Sequence, residues 1–247
     1  MRITTSAQPK WLKSALIALG VFALLFFVYS CFKSVNDTLK QNQRNDAITD
    51  VWRQLLIANA TISGTPTNLN EDGVPSFPFI SFEASRSKLD IHRNVRLATA
   101  LPGIRSIGLS PESTRYIGRG HADDSTLKLV AANFRSLDSL SLSGTKVTTL
   151  EPLADVQLRE LKIINAPIKR DKLASLELLR TVSDLWIGWE ADIRDPDQQV
   201  FVSESYKRRL IEVLGRMPNL KNLYLYNVTF TTEELKLLPN INMRDLR

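Results

Sequence analysis

Residues 137–168 read LDSLSLSGTKVTTLEPLADVQLRELKIINAPI, a stretch that says nearly the same thing twice. Leu137, Leu140 and Leu142 stand at the spacing L-x-x-L-x-L, followed by Thr145 and Val147. Leu158, Leu161 and Ile163 repeat that spacing, followed by Ala166 and Ile168. A period in the twenties built on this spacing constrains the fold strongly. Each unit supplies one short strand whose apolar side chains cannot be buried by that unit alone, so units must stack. Weaker copies flank the doublet. Val182, Leu185 and Ile187 form a third, Leu220, Leu223 and Leu225 a fourth, and Ile104, Ile107 and Leu109 a faint first. Ile241 and Met243 begin a further unit. The fold class expected is α/β, a short solenoid of about four to five repeats over residues 104–247, with a parallel sheet.

The connections also carry signals. TTLEPLADV reads as a loop and DKLASLELL as a helix. Asp124 is placed to cap a helix through Leu127, Val130, Ala131 and Phe134. Ser203 is placed to cap ESYKRRLIEVL, which Gly215 ends. Thr231-Thr232-Glu233-Glu234 has the form of a capping box.

Upstream of the repeats the composition changes. Ser14 to Phe32, SALIALGVFALLFFVYSCF, is nineteen residues without a charge. As a helix it extends roughly 28 Å, the hydrocarbon thickness of a bilayer. Trp11 and Tyr29 lie near its ends, as interfacial aromatics do. The stretch predicts a single transmembrane helix contacting the lipid bilayer through residues 14–32. Basic residues do not set its orientation, since Arg2, Lys10 and Lys13 precede it and Lys33, Lys40 and Arg44 follow. A short tail before a long folded domain favours a signal-anchor with the repeat domain extracytoplasmic. Val28-Tyr29-Ser30-Cys31 loosely resembles a lipobox, so lipoprotein anchoring at Cys31 is the alternative.

Residues 34–60 contain no Gly or Pro and predict a helical stalk, polar in its first half. Ile48, Val51, Leu55 and Ala58 give its second half an apolar stripe, able to dock on the repeats or to self-associate. One and a half heptads do not make a coiled coil. Residues 61–103 read as a linker and N-terminal cap, in which Phe77, Phe79, Ile80 and Phe82 plug the open end of the solenoid. The expected division is 1–33 tail and anchor, 34–60 stalk, 61–103 linker and cap, 104–247 repeats.

The net charge is +6, but it is unevenly spread. Residues 121–247 hold eighteen Lys/Arg and eighteen Asp/Glu, whereas residues 1–60 hold seven against three. A nucleic-acid binder concentrates its basic excess on the recognition surface. Here the excess lies beside the anchor, so no nucleic-acid partner is expected.

The repeats resemble those of leucine-rich repeat proteins. Residues 137–157 look like the short internalin type, and the helix-bearing units ending at 214 and 238 like the ribonuclease-inhibitor type. The resemblance implies a curved scaffold that binds another macromolecule on its concave sheet, here in a membrane-anchored and bacterial setting. The chain departs from the family where Asn usually follows the strand. Thr145, Ala166 and Val228 stand there instead, which predicts less regular loops at Ala166 and Val228.

No reaction can be read from the chain. His92 and His121 are the only histidines, and neither has Cys, Asp or Glu at ligand spacing. No phosphate loop or nucleophile elbow occurs. Cys31 lies in the expected span, which leaves no thiol nucleophile. Glu190, Asp192, Asp195 and Asp197 match no defined Ca²⁺ loop and read as a solvated insertion. The expectation is a protein that is not an enzyme and that uses no cofactor and no metal.

The informative positions lie between the leucines, which face away from the core. They form a central row of Ser141, Lys162, Trp186 and Tyr224. Ser143, Ile164, Gly188 and Tyr226 flank it on one side, and Ser139, Glu160, Asp184 and Asn222 on the other. Aromatics among charges are common anchors of protein interfaces. A site for a protein partner is therefore expected at Lys162, Trp186, Tyr224, Tyr226, Glu160 and Asp184. The function expected is a membrane-anchored binding module, or alternatively a structural accessory subunit of a membrane complex.

Overall fold

A computed structural model of the chain describes residues 10–58, 60–63, 76–82, 87–110, 120–189, 203–238 and 241–246, with the backbone alone at 10–25, 63 and 244–246. Strand β1 (Thr61–Ser63) pairs antiparallel with β2 (Phe79–Ser81). From there β3 (Ser106–Gly108), β4 (Ser136–Ser141), β5 (Gln157–Ile164), β6 (Asp184–Gly188), β7 (Asn222–Tyr226) and β8 (Asn242–Leu246) follow in chain order. Each is parallel to the one before. Parallel neighbours cannot be joined by hairpins, so each step needs a return segment. Helix α2 (Lys88–Ala98) and helix α3 (Asp124–Asn133) serve the first two steps. Short 3₁₀ segments, Glu151–Leu153 and Arg170–Leu178, serve the next two. Helix α4 (Glu204–Leu214) and the single turn α5 (Thr232–Leu235) serve the last two. This is an α/β architecture on a parallel sheet, consistent with the expected solenoid.

Strand alternation explains the core. Ile80, Ile107, Leu140, Leu161, Leu185 and Leu223 are register partners across six strands, and all are buried. The row two residues on, Phe82, Leu109, Leu142, Ile163, Ile187 and Leu225, is buried beside it. Each such side chain contributes about 1.5–3 kcal/mol when fully removed from water, so the stacked rows are the main source of stability.

The repeats begin earlier than the leucines suggested. Phe77, Ile80 and Phe82 keep the L-x-x-L-x-L spacing with aromatics at two of the three places, and they lie in and beside strand β2, which covers the first leucine unit by pairing with β3. Seven strands therefore run parallel among the described residues, against an expected four to five units. Met243 pairs in register with Leu223, so the unit begun at Ile241 is a strand as well.

The returns differ in detail from their sequence signals. Asp123, not Asp124, caps α3, its carboxylate accepting from the Ser125 and Thr126 N–H groups. Asp124 instead accepts from the backbone N–H and the hydroxyl of Thr148, both at 2.7 Å, tying α3 to the next repeat. DKLASLELL is 3₁₀ rather than α. Ser203, Gly215 and the Thr231–Glu234 capping box stand as read.

Helix α1 (Lys10–Ile57) is continuous, as the absence of Gly and Pro after Gly20 allows. The chain divides into two compact units, Met1–Ala47 and Ile48–Arg247. In the second, Ile48 and Leu55 join the repeat core with Val51 and Trp52 packed against it. In the first, Phe26, Phe27, Tyr29 and Phe32 are exposed. Among the described residues no helix is long and apolar enough to cross a membrane. Of the span expected over 14–32, the side chains of 14–25 lie outside the described residues. What remains, 26–32, is too short, because Lys33, Asp37 and Lys40 follow it.

Candidate functional site

Lys162, Trp186 and Tyr224 are register partners on three consecutive strands, as the spacing predicted. Their contacts follow from that placement. Parallel strands stand about 4.8 Å apart, close to the centroid separation of a stacked aromatic pair. Trp186 and Tyr224 stack with ring centroids 4.1 Å apart and 8° between planes. Lys162 Nζ lies 4.6 Å from the Trp186 centroid on the neighbouring strand, a cation–π contact. The column is thus ammonium, indole, phenol, each held by its neighbour. Both flanking strands lend Trp186 a partner for its ring, so its edge is what the column presents outward. Edges of aromatic rings carry the positive end of the quadrupole, and the indole N–H is a donor. Such an edge suits carbonyl and carboxylate oxygens.

The charges beside the column are matched within the sheet. Lys162 Nζ pairs with Glu160 at 3.2 Å, and Arg159 with Asp184 at 3.7 Å. Asp184 also accepts from Asn222 Nδ2 at 2.7 Å and from the Ser183 hydroxyl. Glu160 and Asp184, expected as partner-facing acids, are part-exposed and stand in these pairs. Arg159, Ser183 and Asn222 complete the network. Asn222 had been placed in the right row, but no one-dimensional spacing reveals which acid a neighbouring-strand arginine will reach. On the other flank Tyr226 is part-exposed and pairs in register with Gly188. A Cβ at Gly188 would stand 1.9 Å from the Tyr226 carbonyl oxygen, so glycine is required for β6 and β7 to close there.

Behind two of the strands other groups stand in for the missing asparagines. Thr145 donates to the Leu142 carbonyl at 2.7 Å from a fully buried position. At Ala166 the carbonyl accepts from Trp189 Nε1 at 3.4 Å, and that of Ile168 from the Tyr206 hydroxyl at 2.8 Å. Trp189 and Tyr206 meet edge to face at 5.1 Å. Burial pushes the Tyr206 phenol well above its ordinary value, so it stays a donor. Aromatics from later in the chain thus supply the donors that an alanine cannot. Asn165 and Asn227 do stand at the strand ends, one position earlier than expected, and take the left-handed turn with φ of 58° and 52°.

His92 is a structural pin. Its Nε2 lies 3.0 Å from the Thr126 hydroxyl, joining α2 to α3. Burial, and then the nearby Lys88 ammonium, hold its pKa below the ordinary 6.5. Burial works against ionisation of Asp123, but hydrogen bonds from Lys88, Ser125 and the Thr126 N–H outweigh it and hold the carboxyl well below the usual range. His121 is exposed. No cluster of three His, Cys, Asp or Glu is arranged to hold a metal among the described residues. The acidic insertion at 190–197 lies outside them.

No protein-family model matches the chain. Among solved structures it is similar to internalin C2 from Listeria monocytogenes, with a TM-score of 0.36 and 16% identity over 71% of this chain and 82% of that one. A likeness that slight carries no weight, and the repeat architecture rests on the strands described above.

Proposed function

We propose that this protein is a membrane-tethered repeat module that captures a protein partner on the outward face of β5–β7. The observation that carries the reading is the Lys162–Trp186–Tyr224 column, a rigid aromatic rim on an otherwise polar face. Rigid aromatics ordered before binding lose little entropy on contact and are the usual centres of binding energy. The neighbouring charges are already paired, so association is expected to depend little on salt. The tether is supported by the uncharged stretch Ser14–Phe32, and the proposed orientation places the repeats outside the cytoplasm. The role proposed is recognition, not catalysis.

A second reading, a structural accessory subunit held by its helix, is favoured by the apolar side chains exposed along α1 at Phe26, Phe27, Tyr29 and Phe32. Gentle detergent extraction followed by mass spectrometry of the captured complex separates the two. Loss of the partner from the Trp186→Ala/Tyr224→Ala chain supports capture by the sheet. Loss only when residues 1–47 are removed, which leaves Ile48 and Leu55 in the repeat core, supports the subunit reading.

A further inference from the structure

The apolar side chains exposed on α1 do not end where the uncharged stretch ends. Val35 and Leu39 lie beyond Lys33 and are 59% and 56% exposed, so a bilayer covering Ser14–Phe32 leaves them unaccounted for. They continue a stripe. Val28, Phe32, Val35 and Leu39 follow steps of four, three and four, the a/d spacing of a heptad seam. In the sequence Ala18, Val21 and Leu25 hold the same register upstream, and Asn42 takes the next seam position.

Charge is arranged around that stripe. With Phe32 and Leu39 at a, the charged residues from 28 to 45 are Lys33, Asp37, Lys40 and Arg44, all at b or f on the far side. The positions beside the seam, Tyr29, Cys31, Asn36, Thr38, Gln43 and Asn45, are all uncharged. A second copy of the same helix would therefore meet an apolar seam with neutral flanks and no like-charge contact, so nothing at the flanks opposes self-pairing. A single polar Asn at a seam position fixes register in such pairs. The stripe that joins the repeat core is a different one. In the same heptad count Ile48 and Leu55 fall at c, off the seam.

We propose that α1 pairs in parallel with α1 of a second copy of this chain through Val28, Phe32, Val35 and Leu39. The pairing rests on the membrane reading only for its parallel orientation. It is independent of what the sheet binds.

The test is cysteine cross-linking of the full chain in membranes with a short bismaleimide, after Cys31→Ser. Val35→Cys and Leu39→Cys are expected to give a species of twice the monomer mass, about tenfold more than Asp37→Cys on the far side. Equal yields at the three positions, no dimer at any, or linkage to a different protein overturns the proposal. With Cys31 retained, Val35→Glu/Leu39→Glu is expected to abolish cross-linking at Cys31. Persistence of the dimer there also overturns it. The thermal unfolding of the repeats, read alongside, excludes misfolding as the cause. The Trp186→Ala/Tyr224→Ala chain is expected to cross-link as wild type, so failure of partner capture and failure of this pairing are told apart.

Discussion

The outward face from β2 to β4 and the outward face from β5 to β7 share one register and differ in what stands on it. The first bears Ser81, Gly108 and Ser141 in its central row, with Ser110 and Ser143 beside them. Ser81, Ser110 and Ser143 are buried, and the Ser110 and Ser141 hydroxyls bond each other at 2.7 Å. The second bears Lys162, Trp186 and Tyr224, all part-exposed. The inward rows hardly change between the halves. Architecture and recognition are therefore separable here: leucines at fixed spacing make the sheet, and the residues between them decide whether it offers a surface.

In the core the two halves are expected to respond alike. Leu140→Ala in the serine half and Leu185→Ala in the aromatic half each remove a side chain with no exposure. Each is expected to cost about 2–5 kcal/mol in denaturant unfolding, through lost transfer energy and a residual cavity. A much smaller cost in one half would mean that the two are not parts of one core.

The glycines sharpen the contrast. Gly188→Ala puts a methyl against the Tyr226 backbone and is expected to destabilise by about 1–3 kcal/mol. Gly108→Ala meets the Ser81 hydroxyl at 2.8 Å and its Cβ at 3.2 Å, with no backbone atom closer than 3.6 Å, and is expected to cost less than Gly188→Ala. Comparative thermal unfolding of the two variants checks the order.

On the surface the halves diverge in the opposite sense. Trp186→Ala removes a stack and a cation–π contact, for an expected loss of about 0.5–1.5 kcal/mol in stability. Its expected effect on partner affinity is larger, about 2 kcal/mol or more. Ser141→Ala is expected to leave affinity unchanged. Titration of both against the captured partner distinguishes them.

How much of this was legible depended on what each feature needs. The row of Lys162, Trp186 and Tyr224 follows from strand alternation and the leucine register, both local. Strand β2 was hidden because Phe77 and Phe82 stand where leucines were sought, although the spacing was intact. The pairs Lys162–Glu160 and Arg159–Asp184 were invisible because side-chain reach across strands is not encoded in spacing. Trp189 and Tyr206, which serve the Ala166 loop, come from later in the chain. The seam at Val35 and Leu39 was missed because a polar majority masks two apolar residues until their exposure is known.

The smallest expected effect is on pH dependence, and it belongs to the serine half. The folded pKa of His92 is lowered, so the unfolded chain takes up the proton first. Its contribution is intact above the ordinary 6.5 and is lost as pH falls from there toward the lowered folded value. The thermal midpoint of wild type should therefore drop more on mild acidification than that of His92→Gln, read by circular dichroism.

The central claim, that the aromatic half is the recognition surface, is tested most directly by partner capture with the full-length Trp186→Ala/Tyr224→Ala chain. A Ser139→Ala/Ser141→Ala chain and the thermal midpoint of each serve as controls. Loss of the partner from the aromatic variant alone is expected, with all chains folded. Retention of the partner by the folded aromatic variant would contradict it.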